Sequence, residues 1–140
     1  MSDDGEVAIL KKILLFTIFA AAVALGHHSF AAEYDGQALV TLKGVITKVE
    51  WTNPHAYFYI DVKDAATGAV ANWAIEGYPP NTLKRTGFVR DDLKVGETIT
   101  ITAWRARDGS LRGAGREVTF SDTSKTSGDA SKKYWGPAAQ

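Results

Sequence analysis

The sequence lacks cysteine altogether and has one methionine and three histidines. Without thiols the fold must be stable without disulfides, and metal sites built on thiolates are excluded. An excess of one charge is also missing, because 16 lysines and arginines balance 16 aspartates and glutamates. A balanced chain has no electrostatic footprint for nucleic acid, so we expect no nucleic-acid partner.

A long apolar run is found near the start of the chain, at residues 13–25, directly after Lys11 and Lys12. This is the layout of a secretory signal peptide. The run is short for a membrane span, which needs about 20 apolar residues. We therefore predict a signal peptide over residues 1–26, a periplasmic or secreted protein, and no stable membrane anchor after cleavage. An uncleaved anchor or a buried helix is the alternative.

Two cleavage positions fit the small residues at the end of this run. Residues 22–24 read Ala-Val-Ala, and cleavage behind them leaves Leu25 as the first residue. Residues 24–26 read Ala-Leu-Gly, a small-x-small match, and cleavage behind them leaves His27 first. Both patterns are of the kind that signal peptidase accepts, so both positions stay open on this evidence.

Alternating apolar residues predict five β-strands between residues 39 and 120. The first strand is long, and its apolar phase shifts at Gly44, from Leu42 to Val45, which predicts a bulge or sharp bend there. Three later strands each place one apolar face inward. These faces carry Phe58, Ile60 and Val62, then Ala71, Trp73 and Ile75, then Ile99, Ile101 and Ala103.

Residues 79–87 break the β pattern with two prolines and end at a glycine, which predicts a short helical turn between strands 3 and 4. Together these elements predict an all-β fold, a small five-stranded OB-like Greek-key barrel. An open five-stranded sandwich is the alternative. We assign this domain to residues 27–122. Residues 123–140 are polar and rich in Ser, Gly and Lys, and they predict a disordered tail.

Two short motifs are distinctive, His-His-Ser-Phe at residues 27–30 and Glu-Trp-Thr-Asn-Pro-His at residues 50–55. With the segments between and after them, over residues 27–120, they resemble an uncharacterised family of small exported bacterial proteins, a domain of unknown function. The resemblance implies export and a compact β domain, with no settled activity. Because it begins at the histidines, it favours cleavage after Gly26.

The three histidines, His27, His28 and His55, all lie in segments that carry this resemblance. Neutral imidazole is the commonest metal ligand and suits copper, zinc and nickel. After cleavage behind Gly26, the amine and ring of His27 would hold one copper ion, with His55 or His28 as the third nitrogen donor. After cleavage behind Ala24, a histidine in third position chelates Cu(II) or Ni(II) with the amine and two backbone amides. The sequence therefore predicts Cu(II) binding or delivery, with copper as the cofactor.

Two other interpretations compete with copper. In one, His27 and His28 are solvated residues of a loose tail, and His55 only shapes its turn. In the other, the protein is a non-metal interaction module that presents an aromatic face and an arginine-rich hairpin to a small ligand or a protein partner. The residues of that surface are Tyr57, Tyr59, Trp104, Arg105 and Arg107.

Catalysis is less favoured than binding, although the sequence leaves the question open. Ser29 beside His28 has no orienting acid that the sequence identifies, so a hydrolytic triad is improbable. Asp91 and Asp92 stand together before a turn, and we interpret them as a solvated turn or cap pair rather than an acid–base dyad. We therefore assign no catalytic residue.

Overall fold

The computed structural model describes residues 30–122 and 131–136. Two compact units are distinguished, Met1–Glu33 and Tyr34–Gln140. In the first unit the described residues, 30–33, are helical. The signal peptide predicted for residues 1–26 lies outside the described residues. The second unit is mostly β-sheet with only short helices, as the sequence predicts for its fold class.

Six strands, one more than predicted, form the sheet of the second unit as far as it is described. They are β1 (Tyr34–Glu50), β2 (Tyr57–Lys63), β3 (Val70–Glu76), β4 (Thr98–Ala106), β5 (Arg112–Phe120) and β6 (Lys132–Tyr134). A short helix (Pro80–Arg85) and a 3-10 turn (Arg90–Asp92) connect β3 to β4. In this part of the chain no helix has the length and apolar character that crossing a membrane requires.

The strands pair in the order β3-β2-β1-β4-β5-β6, and neighbours in this order are antiparallel. A parallel pairing also joins β3 to β5, from Ala74 with Arg112 to Glu76 with Ala114. Because β4 covers one edge of β5, strands β3 and β6 share the other. Strand β3 takes residues 112–114 of that edge and β6 takes residues 117–119.

The apolar faces predicted for β2, β3 and β4 pack into the core. Their buried members are Phe58, Ile60, Trp73, Ile75, Ile99, Ile101 and Ala103. Each large apolar side chain that is removed from water stabilises the fold by about 1.5–3 kcal/mol. Period-two alternation therefore identified the residues that hold these strands together.

The predicted phase shift of β1 lies at a different residue. Ile46 is buried and Val45 is exposed, the reverse of the prediction. The register of β1 against β2 shifts between Ile46 and Lys48, so the irregularity follows Gly44 rather than coinciding with it. Gly44 has another role, because a Cβ there would lie 2.6 Å from the backbone oxygen of Asp61. A glycine is therefore required for the close approach of β1 to β2.

Residues 131–136 differ from the disordered tail that the sequence predicts over 123–140. Residues 132–134 form β6, and Trp135 is the largest fully buried side chain of the described residues. Its ring centroid lies 4.9 Å from that of Phe58 and 5.1 Å from that of Phe88. The tail is polar on average, but one aromatic side chain buries enough apolar area to dock a short segment. Residues 123–130 and 137–140 lie outside the described residues.

Asp92 caps its turn, as predicted, but it is buried and not solvated. Its side chain is buried, and Oδ2 accepts hydrogen bonds from Lys133 Nζ and from the backbone N–H of Val89, both at 2.8 Å. Asp91 is exposed, as predicted. The sequence pattern could not indicate the difference between the two, because Lys133 lies 41 residues further along the chain.

Candidate functional site

His55 lies in the loop between β1 and β2, and the residue after it is tied to the end of β3. Ala56 is fully buried. Its N–H donates to the carbonyl of Tyr78 at 3.2 Å, and its carbonyl accepts from the N–H of Gly77 at 2.9 Å. These two bonds place the imidazole of His55 beside Glu76, the last residue of β3.

The imidazole of His55 is hydrogen-bonded to the carboxylate of Glu76, with Nδ1 donating to Oε1. The side chain of His55 is 47% exposed and that of Glu76 is 14% exposed. When Nδ1 carries the proton of a neutral ring, the lone pair is on Nε2. Among the described residues, none forms a hydrogen bond with that nitrogen. The pair therefore fixes the ring and leaves one acceptor nitrogen at a half-exposed position.

The second oxygen of Glu76 is bonded to a buried tyrosine. The hydroxyl of Tyr34 donates to Glu76 Oε2 at 2.5 Å. Burial raises the pKa of Tyr34 well above its ordinary value, and the bond to Glu76 and the charges of Glu76 and Tyr57 add to the rise, while Arg112 opposes it. The hydroxyl thus stays protonated at neutral pH, and it orients the carboxylate that holds His55.

This arrangement suits two kinds of chemistry. Histidines that bind metals commonly donate their other ring N–H to a carboxylate, which fixes the tautomer and the ring orientation. A histidine held in this way can also accept a proton as a base. Within residues 30–122 and 131–136, no group of three or more His, Cys, Asp or Glu side chains is placed to hold a metal ion.

The structure describes one of the three predicted metal ligands. His55 is half-exposed and carboxylate-bonded, whereas His27 and His28 lie outside the described residues. A shared metal site for the three histidines therefore stays a prediction.

The aromatic residues of the alternative surface differ in exposure. Tyr57 and Tyr59 are half-buried, and Trp104 is buried, so Trp104 contributes little to an exposed face. The hydroxyl of Tyr59 donates to Glu50 Oε2 at 2.9 Å, and Lys48 Nζ lies 5.1 Å from the centroid of its ring. The expected aromatic surface is thus reduced to two half-buried tyrosines.

The two arginines of that surface also have contacts within the protein. The guanidinium of Arg105 lies 5.5 Å from the ring centroid of Trp73. Arg107 Nε donates to the backbone oxygen of Tyr34 at 3.1 Å, and Arg107 Nη2 lies 3.8 Å from Asp35 Oδ1. Arg107 therefore helps to hold the start of β1, where Tyr34 reaches Glu76.

An open cleft of about 650 Å³ lies at another part of β1. Its lining consists of Thr47, Lys48, Val49, Arg90, Asp91, Leu93, Lys94 and Val95. None of the residues predicted to bind metal or ligand belongs to this set. The cleft and the His55–Glu76 pair are therefore separate features.

Sequence reasoning missed Glu76 and Tyr34, the two residues that orient His55. Their contacts join residues 21 and 42 positions apart, and no local pattern reports such pairs. One signal was present, since Glu76 is the only charged residue in the otherwise apolar and neutral sequence of β3. A carboxylate that ends an inner strand needs a partner, because burial of an unpaired charge is costly.

These features define a β-sheet protein with a half-exposed histidine that a tyrosine-bonded carboxylate orients. The chain matches the model of a family of unknown function, DUF6152, over residues 16–116. The match covers well over half of the chain, so the protein belongs to this family, and the resemblance drawn from the sequence is confirmed. No curated protein matches the chain, and no solved structure matches it. Tyr34, His55 and Glu76 lie within the matched residues, and Trp135 lies beyond them.

Proposed function

We propose that this protein binds Cu(II) through His55 and the amino-terminal histidine of the mature chain, and holds or delivers the ion outside the cytoplasm. The observation that carries the proposal is the hydrogen bond from His55 Nδ1 to the carboxylate of Glu76. The hydroxyl of Tyr34 donates to the other oxygen of that carboxylate. This is the outer-shell arrangement that metal-binding imidazoles commonly have. In the neutral ring with its proton on Nδ1, Nε2 carries the lone pair that a metal ion requires.

The other donors in the proposal come from the mature amino terminus. Cleavage after Gly26 would give His27 a free α-amine, and the amine and ring of His27 would join His55 Nε2 in a flat set of three nitrogens. His28 is an assisting donor. Nitrogen ligation in a plane favours Cu(II) among divalent ions. The chain has no cysteine that would favour a thiolate-bound metal instead.

The length of chain before β1 is compatible with this donor set. Tyr34 follows His27 by seven positions, and a segment of that length spans at most about 25 Å when fully extended. Tyr34 is bonded to Glu76, which is bonded to His55.

Export and the finer fold belong to the same proposal. We propose that residues 1–26 are removed as a signal peptide and that the protein is periplasmic or secreted. We also propose that the strands form an OB-like Greek-key barrel, supported by the parallel pairing of β3 with β5, which returns the strand order to its start. Slow amide exchange at Ala74, whose N–H donates to the carbonyl of Leu111 at 3.0 Å, would support this closure.

The test is native mass spectrometry of protein exported from its own signal sequence, with and without one equivalent of Cu(II). We expect a chain that starts at His27 and retains one copper ion, and we expect His55→Ala to lose it. Glu76→Gln should bind about 10- to 100-fold more weakly, the usual cost of removing an outer-shell partner. His28→Ala should weaken binding less than His55→Ala, because His28 only assists. Lys48→Ala changes an exposed residue outside the donor set, so it is the control and should leave the affinity unchanged.

Two outcomes count against the proposal. A chain that starts at Leu25 and holds copper regardless of His55 would indicate an incidental chelate at the terminus. A correctly processed chain that starts at His27 and binds no copper would remove the metal function. The alternative, a non-metal module that uses Tyr57, Tyr59, Trp104, Arg105 and Arg107, would then become the working hypothesis.

A further inference from the structure

Residues 131–136, which we call the C-terminal clasp, insert the largest buried side chain of the described residues into the core. The ring of Trp135 contacts Phe58 and Phe88 edge-on and lies 6.1 Å from the ring of Trp51, centroid to centroid. Its indole Nε1 has no hydrogen-bond partner among the described residues. The indole is therefore held by packing and not by a polar contact.

The clasp packs directly against the backbone that follows Glu76. A Cβ at Gly77 would lie 2.3 Å from Nε1 of Trp135, and a Cβ at Gly115 would lie 2.4 Å from its Cδ1. The backbone N–H of Tyr78 donates to the carbonyl of Trp135 at 3.0 Å. Gly77, directly after β3, and Gly115, within β5, thus let the indole lie against the main chain on both sides.

The same stretch of backbone carries the His55–Glu76 pair. Gly77 and Tyr78, which contact Trp135, are also the residues that form backbone hydrogen bonds with Ala56. Glu76 precedes Gly77, and His55 precedes Ala56. Glu76 is therefore joined by a peptide bond to a residue that contacts the clasp. His55 is joined by a peptide bond to Ala56, which is hydrogen-bonded to the two residues that contact the clasp.

The clasp is anchored by further bonds. Lys133 Nζ donates to Asp92 Oδ2 at 2.8 Å and to the carbonyl of Gly87 at 2.9 Å. The N–H of Trp135 donates to the carbonyl of Arg116 at 2.9 Å. These bonds fix the indole in a defined position, as the support of a binding site requires.

We propose that Trp135 is a positioning residue for the His55–Glu76 pair, which it holds in register through the backbone of Gly77, Tyr78 and Ala56. The part of this inference that concerns copper rests on the proposed function. The part that concerns the tautomer and orientation of the His55 ring does not. Loss of the indole leaves Gly77 without its neighbour, so the ends of β3 and of the His55 loop lose their common support.

The test compares Trp135→Leu with the full-length wild-type chain by two measurements. The first is the nitrogen-15 spectrum of the metal-free imidazoles. We expect wild-type His55 to show one tautomer with the proton on Nδ1, and the variant to show a mixture. The second is Cu(II) affinity, which we expect to fall about tenfold, the lower end of outer-shell effects.

Three further variants separate positioning from general loss of stability. Trp73→Leu removes another buried tryptophan from β3 and should leave the His55 signals unchanged. Trp135→Phe keeps a ring in the slot and, because Nε1 has no partner, should largely restore the wild-type spectrum. Trp135→Met places a longer and more adaptable apolar side chain in the slot than Trp135→Leu, and it replaces Trp135→Leu if that variant does not fold. Gly115→Ala is unsuitable, because its Cβ would also lie 2.8 Å from Ile75 and 3.4 Å from the backbone oxygen of Glu76.

The outcomes distinguish this inference from the proposed function. If the His55 tautomer shifts in Trp135→Leu or Trp135→Met but the wild type binds no copper, positioning stands and the metal function fails. If the wild type binds copper and a folded Trp135→Leu chain keeps both its tautomer and its affinity, positioning is overturned. A shift as large in Trp73→Leu as in Trp135→Leu would also overturn it.

Discussion

Among the lysine–carboxylate pairs of the described residues, two lie in opposite surroundings. In the pair of Lys133 with Asp92, the side chains are 5% and 1% exposed, and in the pair of Lys48 with Glu50 they are 60% and 35% exposed. The first pair joins the C-terminal clasp to the 3-10 turn, and the second lies within β1. The same pair of charged groups is thus buried in one case and exposed to water in the other.

The difference between these pairs lies in what happens when one partner is removed. A buried charge without its partner retains its full desolvation cost, whereas an exposed charge is simply solvated. The buried pair is also surrounded by further bonds, because Asp92 accepts from Val89 and Lys133 donates to Gly87. The exposed pair has one neighbour beyond itself, the hydroxyl of Tyr59 on Glu50.

The largest effect is expected for Lys133→Met. This change leaves the carboxylate of Asp92 buried without its cation, and we expect the free energy of unfolding to fall by about 3–5 kcal/mol. Urea denaturation at pH 7 measures it. Lys132→Met is the matched control, because Lys132 is exposed and pairs with Glu117 at the surface. Equal losses in the two variants would show that burial does not govern the strength of these pairs.

Tyr34→Phe tests the intermediate case, a partly buried bond to a carboxylate. It removes the hydroxyl that donates to Glu76 Oε2, and bonds to charged groups contribute roughly 1.5–3 kcal/mol. We expect a loss of about 2 kcal/mol in the free energy of unfolding. If the free energy of unfolding falls by less than the experimental error, this bond contributes as little to stability as the exposed pair does.

The stability difference between the wild type and Tyr34→Phe depends on pH in a defined direction. The pKa of Tyr34 is raised in the folded protein, mainly by burial and then by Glu76. Its contribution is therefore fully present below the unfolded pKa of about 10 and is lost as the pH rises through the higher folded value. The stability difference between wild type and Tyr34→Phe should thus stay constant from pH 7 to about 9 and shrink only above about 10. Denaturation midpoints across this range measure it, and an earlier decline would contradict the assignment.

A double change is expected to recover most of the loss at the buried pair. In Asp92→Asn with Lys133→Met no charge remains there, and neutral replacement of a buried pair is often close to neutral in stability. We expect the double variant to lie within about 1–2 kcal/mol of wild type, well above Lys133→Met alone. A double-mutant cycle gives the coupling energy, and additive losses would show that the two residues act independently.

The smallest effect is expected for Lys48→Ala. The bond to Glu50 raises the pKa of Lys48, and the bond to Lys48 is the main cause of the lowered pKa of Glu50. Both groups are nevertheless solvated, and exposed pairs contribute little to stability. The urea midpoint should be unchanged within error at 0.15 M salt, where screening is strong. A clear shift would mean that the end of β1 depends on this pair.

The sequence predicts the strands well because alternation reports a local property. Phe58 and Ile60 in β2, like Ile99 and Ile101 in β4, are buried at the positions that their spacing indicates. The bulge of β1 was predicted at the wrong residue. Its position depends on the register of β1 against β2, and the sequence of one strand does not contain that register. Apolar alternation within a strand therefore identifies the face that is buried. The pairing with the neighbouring strand decides at which residue the buried face changes.

The clasp and the support of His55 could not be predicted for a related reason. Trp135 lies in a polar segment whose composition indicates disorder, and its binding slot is built from Phe58, Phe88 and glycines far away in sequence. His55 was identified as a candidate from residue type alone. Its partner Glu76 was not, because the contact exists only once β2 and β3 are paired.

The contact of Arg107 with the carbonyl of Tyr34 joins residues 73 positions apart, and it has a consequence for the rate at which the chain folds. Chain entropy must be lost in closing so large a loop before the first and fourth strands stabilise each other. Proteins dominated by such distant pairings fold in roughly milliseconds to seconds, far slower than helical bundles of similar size. We therefore expect the residue that orients the carboxylate beside His55 to reach its place late in folding, so that the site is completed only as the whole sheet forms.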